Sequence, residues 1–476
     1  MLVPVKPFLL IFCCLLTAMQ GLAQAPYPVR QGSPDTSDPA VRHTIRNILV
    51  QGARKTRPFI IMRDFALEEG SSYLLPDINS GIRTTRQNLI NTALFVEVTV
   101  QPSEWVGDTL DLVVELKERW YYWPFFYFKP IDRNWNVWLN QYDASLERVN
   151  YGVKLKGDNI TGRNDKVNIW IIDGYARQLT LKYFNPFADK SLRHGYGFEL
   201  SRSFTREVNY GSLSNRQQFF KDENGFMRQQ YYAGLTYSYR KGSVNRHTAR
   251  LGLVKERVSD SILNRNPDFL GDGRREVSYP LLNYQFQHLD VDYIPYPSRG
   301  HTFEFQFTKQ GFGGPVDLWQ FNARAARHWT LPRKMYFSLQ GDAVVKLPFD
   351  QPFVNRNLMG YGDVFLRGLE YYVVDGVAGG VIRTTLRRRV ADWRLRTGLK
   401  SKTYGVIPFQ FYAKTFADLG YVYDPQRNAD DRLANRFMYT GGFGLDVITI
   451  YDWVVRLEFS FNQFREGGFF FHKNPF

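Results

Sequence analysis

The residues in this 476-residue chain whose types and spacing best suit a specific contact are Leu366, Arg367, Gly368 and Leu369. They sit in the run GYGDVFLRGLEYYVVDG at 360–376. A guanidinium presents a rigid fork that grips a carboxylate through two parallel hydrogen bonds. A glycine beside it lets another backbone come close. Such a pattern suits a docking contact and no bond-making step, but on the residues alone an exposed loop with a solvated arginine is the stronger reading. Catalytic patterns are missing elsewhere. The seven histidines, His43, His194, His247, His288, His301, His328 and His472, form no HExxH or other close ligand spacing. The glycine-rich runs at 311–314 and 441–444 open no helix and carry no lysine, so they do not read as phosphate cradles. There is no G-x-S-x-G nucleophile elbow. A membrane phospholipase built from Ser, His and Asn on an outer face stays open. The reading is a non-enzyme with no cofactor and no metal.

The elements that position these residues alternate with period two. Phe303, Phe305 and Phe307 interleave with Thr302, Glu304, Gln306 and Thr308. Met335, Phe337, Leu339, Gly341, Ala343 and Val345 interleave with Tyr336, Ser338, Gln340, Asp342, Val344 and Lys346. Similar segments begin at Tyr231 and Trp453. Each is about ten residues long, the length of a tilted membrane strand. One face is apolar and aromatic while the other is polar and often charged. A soluble sandwich has no need of both. Backbone groups in lipid must all be paired, so such strands close into a barrel. Aromatic clusters such as Trp120 to Trp123 fit interfacial girdles. At roughly 22 residues per strand and connection, residues 119–476 give a membrane β-barrel of about 16 antiparallel strands. Its last clear strand ends near Phe464, and the pairing of the tail REGGFFFHKNPF is left open.

The N-terminus sets the compartment. Residues 1–25 read as a signal peptide, with Lys6 before an apolar stretch and small residues at Gly21, Ala23 and Ala25. Both cysteines, Cys13 and Cys14, fall inside it, so a mature chain would have neither disulfides nor thiol chemistry. Residues 26–41 read as a flexible lead. Residues 42–118 read as a small α/β domain of order β-α-α-β-β, a three-stranded sheet under two helices. Thr56 and Asp77 are the expected helix caps, and Ile78, Ile82, Thr85 and Leu89 the expected stripe. An open strand edge along Phe95, Val96, Val98 and Val100 could accept a partner's strand, or the domain could be a spacer. The formal charge of +15 favours anionic partners. The aromatics are bound up in strand alternation, so nucleic acid is not expected; the cations suit a lumen lining, with Arg383, Arg387 and Arg389, or lipid head groups.

The whole mature chain resembles the outer-membrane protein assembly factors of the BamA and TamA type. The small domain resembles a POTRA domain through ILVQGARKT, LEEG and LFVEVTV, and the barrel resembles the family through the Leu366-Arg367-Gly368-Leu369 motif. The resemblance implies that this motif lies on a long loop, about 349–377, pinned inside the lumen. It also implies an outer-membrane barrel with its POTRA-like domain in the periplasm. Two departures stand out. The motif's final aromatic is Leu369, and Thr385 stands where the wall glutamate is expected. Alternation puts Asp342 and Asp418 on the lumen face, and Asp342 is the expected main partner of Arg367.

The function so implied is insertion of β-barrel proteins. The POTRA-like domain would receive an unfolded outer-membrane protein. A weak seam between the first strand (Trp120, Tyr122, Phe126) and the last (Trp453, Val455, Phe459) would template its strands. Partners would be unfolded outer-membrane proteins and outer-membrane lipids. Accessory lipoproteins would join them, although a single POTRA-like domain in place of several puts their recruitment in doubt. A secretion pore of the same superfamily and a passive porin are the competing readings.

Overall fold

The computed structural model describes residues 41–130, 149–222, 225–313, 316–362, 364–398 and 406–474. The expected signal peptide and nearly all of the flexible lead lie outside these residues.

The small domain runs β1 (Arg42–Gln51), α1 (Pro58–Met62), β2 (Ser72–Leu74), α2 (Leu75–Asn91), β3 (Phe95–Val106) and β4 (Thr109–Glu118). Its sheet has four strands in the order β2-β1-β4-β3, where three were expected. The extra strand, β2, is three residues long, too short to show alternation. β1 runs parallel to β4, which makes β1 and β4 the central pair. Of the expected helix stripe, Ile78, Thr85 and Leu89 are buried and Ile82 is half-buried, while Gly81 is buried beside them. Ile78 and Leu89 pack with Ile45, Leu110, Leu112 and Val114 from the sheet. A side chain at position 81 would collide with Leu67, whose Cδ2 would lie 2.5 Å away, so only glycine lets α2 lie this close.

Neither expected cap forms. Leu74 and Arg57 hold the N-cap positions, each followed by a proline in the first turn. Asp77 lies inside the first turn of α2. Thr56 turns to Glu118 instead. The Glu118 carboxylate accepts the backbone N–H groups of Arg54, Lys55 and Thr56 and the Thr56 hydroxyl. Partial burial works to raise its pKa, but the hydrogen bonds from Thr56, Lys55 and Arg54 outweigh this and hold it below the ordinary carboxylate value.

The large sheet begins with β5 (Tyr122–Pro130), β6 (Val149–Asp158), β7 (Lys166–Gly174), β8 (Ala176–Asn185) and β9 (His194–Thr205). The hairpin of β10 (Glu207–Leu213) and β11 (Arg216–Lys221) then stands apart as its own two-stranded sheet. The large sheet continues through β12 (Arg228–Tyr239), β13 (Asn245–Val258), β14 (Glu276–Val291), β15 (Gly300–Gln310), β16 (Leu318–Leu331) and β17 (Met335–Leu347). A long connection follows, with its own short pair β18 (Asn357–Met359) and β19 (Val374–Asp375). The last strands are β20 (Ala378–Arg396), β21 (Val406–Tyr423), β22 (Phe437–Ile448), β23 (Val454–Asn462) and β24 (Gly467–Asn474).

Sixteen strands pair antiparallel in chain order, from β5 at one end to β24 at the other. Among the described residues no pairing joins β5 to β24, and the sheet is not closed. The tail pairs with β23 over Val454↔Asn474 to Phe461↔Gly467. The terminal strand is therefore β24. Val455 and Phe459 belong to the penultimate strand, which is paired on both sides, and Trp453 lies just before it. Placing the seam at those residues is corrected: the strands at the two ends of the sheet are β5 and β24. On β5, Tyr122 and Phe126 are exposed, while Trp120 lies just before the strand.

Candidate functional site

The connection between β17 and β20 enters from the end of the barrel opposite the small domain. Its apolar residues explain why it turns inward. Leu366 and Leu369 are buried with Leu358, Met359 and Val374 of the same connection against Val344, Val381, Val422 and Met438 of the wall. Fully burying two leucines is worth roughly 1.5–3 kcal/mol each, which offsets part of the entropy of ordering so long a loop.

Between those leucines Arg367 reaches the wall. Its Nε donates to Asp418 Oδ2 at 2.8 Å and its Nη2 to Asp418 Oδ1 at 2.5 Å, a two-pronged pair with the β21 carboxylate. Nη1 donates to the Thr385 hydroxyl at 3.1 Å, and Nη2 also reaches the Thr384 carbonyl at 3.1 Å. The guanidinium lies 4.0 Å from the centre of the Phe416 ring. Asp418 is fully buried.

Asp342 is not the partner of Arg367. It pairs with Arg324, directly opposite in register on β16, and with Arg383 Nη1 at 3.5 Å. Alternation gives the face of a residue but not its height, and Arg324 stands at the height of Asp342. Arg383 in turn donates to the Phe365 carbonyl, so the loop is also held just ahead of its motif. A second buried cluster lies beside the first. Lys414 Nζ lies 2.5 Å from both Asp446 and Glu458, and Glu458 lies 4.0 Å from Arg367 Nη1. This ladder runs across β21, β22 and β23.

Gly368 is the second half of the motif. Its φ of +95° belongs to the left-handed region, and a Cβ here would lie 3.1 Å from the Phe461 carbonyl and from Ser460 Cβ. The Gly368 carbonyl accepts from Asn462 Nδ2 at 2.9 Å. The loop therefore lies directly on β23. It also touches the terminal hairpin: Tyr372 donates to Glu466 at 2.9 Å, and the Tyr371 ring lies 5.6 Å from that of Phe470 on β24. Hydrogen bonds from Asn462 and Tyr372 hold the Glu466 carboxyl below its ordinary value.

Sequence reasoning missed a tie at the other end of the barrel. Arg119 leaves the small domain at the start of β5, and its Nη1 donates to Asp452 at 2.6 Å in the turn before β23. Arg119 Nε also donates to the Phe95 carbonyl at 2.9 Å. The expected client edge is the free side of β3, an edge strand of its sheet. The side chains of Phe95, Val98 and Val100 are buried in the domain core and Val96 is half-buried, so only backbone is on offer there. Of the expected lumen cations, Arg383 and Arg387 face inward contacts; Arg389 pairs with Asp392.

Residues 159–368 match the model of the Omp85 superfamily domain. Among solved structures, BamA from Haemophilus ducreyi lacking POTRA domains 1–3 is 14% identical, covering 88% of this chain and 81% of that one with a TM-score of 0.49. CdiB from Escherichia coli is 14% identical, covering 90% and 75% with a TM-score of 0.48. No curated protein sequence is significantly similar to this chain.

Proposed function

Starting from the Omp85 superfamily domain of this barrel, we propose that the protein inserts β-barrel proteins into the outer membrane, with its POTRA-like domain in the periplasm. The observation that carries this reading is the pair of strand edges at the ends of the sheet. β5 pairs only with β6 and β24 only with β23 among the described residues. An unpaired edge in lipid is costly, because no water is there to satisfy its N–H and C=O groups. Such an edge is a template for a client strand, which gains backbone hydrogen bonds as it adds. No bond is made or broken. The free energy comes from placing the client's apolar face in lipid and pairing its backbone.

The residues of the site divide the work. The Arg367–Asp418 pair fixes the loop to β21, and Gly368 and Tyr372 carry that anchor to β23 and the terminal hairpin. The arrangement keeps the C-terminal side of the seam rigid while β24 remains available. Arg119–Asp452 ties the root of β5 to the turn before β23, so the seam is held at the end nearest the small domain and opens from the opposite end. The edge of β3 offers a first strand-addition site to an unfolded outer-membrane protein once Arg119 and Arg86 release the Phe95 and Val98 carbonyls they now hold.

The test uses purified protein in liposomes with an unrelated, urea-unfolded barrel protein, its folding followed by heat-modifiable gel mobility. Faster folding than in empty liposomes, weakened by Arg367→Ala, is the expected result. No acceleration, with sizeable ion conductance from the same vesicles, would overturn the proposal in favour of a secretion pore or porin.

A further inference from the structure

His288, Asp290 and His301 stand at the facing ends of β14 and β15, at the rim of the barrel nearest the small domain. Alternation puts them on its outer face, in line with Tyr284 and Phe286, while Gln285 and Gln287 turn inward to Glu304. Asp290 lies directly across from His301 in the register. One potential ligand atom from each of the three residues lies within 4.8 Å of the others.

The geometry of the two imidazoles is specific. Their Nε2 atoms are 3.2 Å apart while the ring centres are 5.0 Å apart, so the rings converge at their tips. Two nitrogen ligands on a tetrahedral zinc at about 2.0–2.1 Å stand about 3.3 Å from each other. His288 is also oriented from behind. Its Nδ1 lies 2.8 Å from Asn245 Oδ1. An amide oxygen can only accept, so Nδ1 carries the proton and Nε2 keeps its lone pair for a ligand bond. Metal-binding histidines are fixed in this way by an outer partner.

We propose that His288, His301 and Asp290 bind one divalent transition-metal ion of the Zn²⁺ class, with water completing the coordination. The N, N, O donor set suits zinc, copper or nickel in place of calcium or magnesium. The site has a structural consequence. Val291 follows Asp290, and its carbonyl accepts from Gln87 and Asn91 of α2 at 2.7 and 3.1 Å. A bound ion fastens the hairpin end on which the small domain rests.

The test is calorimetric titration of Zn²⁺ into the chelator-treated full-length protein, in detergent and without a histidine tag, alongside the visible absorption of Co²⁺ in the same site. One saturable ion per chain is expected, with a tetrahedral Co²⁺ spectrum. His288→Ala and His301→Ala each abolish both signals. Asn245→Ala weakens binding roughly tenfold by releasing the orienting bond. His247→Ala, one strand away, leaves it unchanged. Heat-modifiable mobility of each variant confirms a folded barrel. No saturable binding, or binding that survives His288→Ala together with His301→Ala, overturns the site and leaves the two rings as a simple hydrogen-bonded pair.

Discussion

Removing Arg367 should free the lumen loop by a predictable amount. Side-chain exposure is 10% for Arg367 and 0% for Asp418, so solvent screens their attraction little. Breaking a buried pair by truncating one partner costs about 3–5 kcal/mol, because the other charge is stranded. Taking about 3 kcal/mol, the ratio of docked to released loop falls roughly 100-fold. The apolar contacts of Leu366 and Leu369 keep most molecules docked, so the change is best read through the rare released state. No cysteine follows Cys14, and Leu366 is 1% exposed. A Leu366→Cys reporter therefore reacts with a water-soluble thiol reagent only when the loop lifts. Arg367→Ala should raise that labelling rate roughly 100-fold, and Asp418→Ala should raise it by a similar factor. The double variant should fall short of the summed effects by about 2 kcal/mol, because the second truncation removes a charge already stranded. Asp342→Ala should do less, since its partners are Arg324 and Arg383. Strict additivity of Arg367→Ala and Asp418→Ala, or unchanged labelling in either, would refute the reasoning.

Gly368→Ala should cost about 1–3 kcal/mol through its positive φ and its approach to β23, read as faster labelling of the same Leu366→Cys reporter. Asp452→Asn removes the charge from the Arg119 tie and should loosen the seam at the end nearest the small domain, measured as a broader spin-label distance distribution between β5 and β24. The Tyr372–Glu466 contact should depend on pH. The folded pKa of Glu466 is lowered, so its contribution is present above the unfolded value of 4.5 and is lost as pH falls below that through the folded value. Hydrogen exchange at the β23–β24 turn should accelerate there relative to Glu466→Gln, which has no such titration.

The barrel was legible because side chains facing lipid and lumen must alternate, and β12, β15 and β17 carry that signal plainly, while the strand count followed from the length of the segment. The terminal strand was not. Gly467 and Gly468 open it and three consecutive phenylalanines, Phe469 to Phe471, conceal the alternation, so β24 reads as a tail. The docking of 366–369 was legible only through the resemblance of the motif to the family's, and the choice between Asp342 and Asp418 depends on register. The register is a property of neighbouring strands, not of one strand's pattern. The same holds for His288 and His301. They are thirteen residues apart, and only the pairing of β14 with β15 brings them together. Arg119 and Asp452 are separated by most of the barrel, and no local pattern links them.

The central claim is that client strands add at the seam between β5 and β24. A disulfide engineered across that seam tests it most directly, with client folding in liposomes measured before and after reduction. The account predicts that the oxidised protein loses its acceleration of client folding and that reductant restores it. Equal acceleration in both states would contradict the claim and place any activity elsewhere on the barrel.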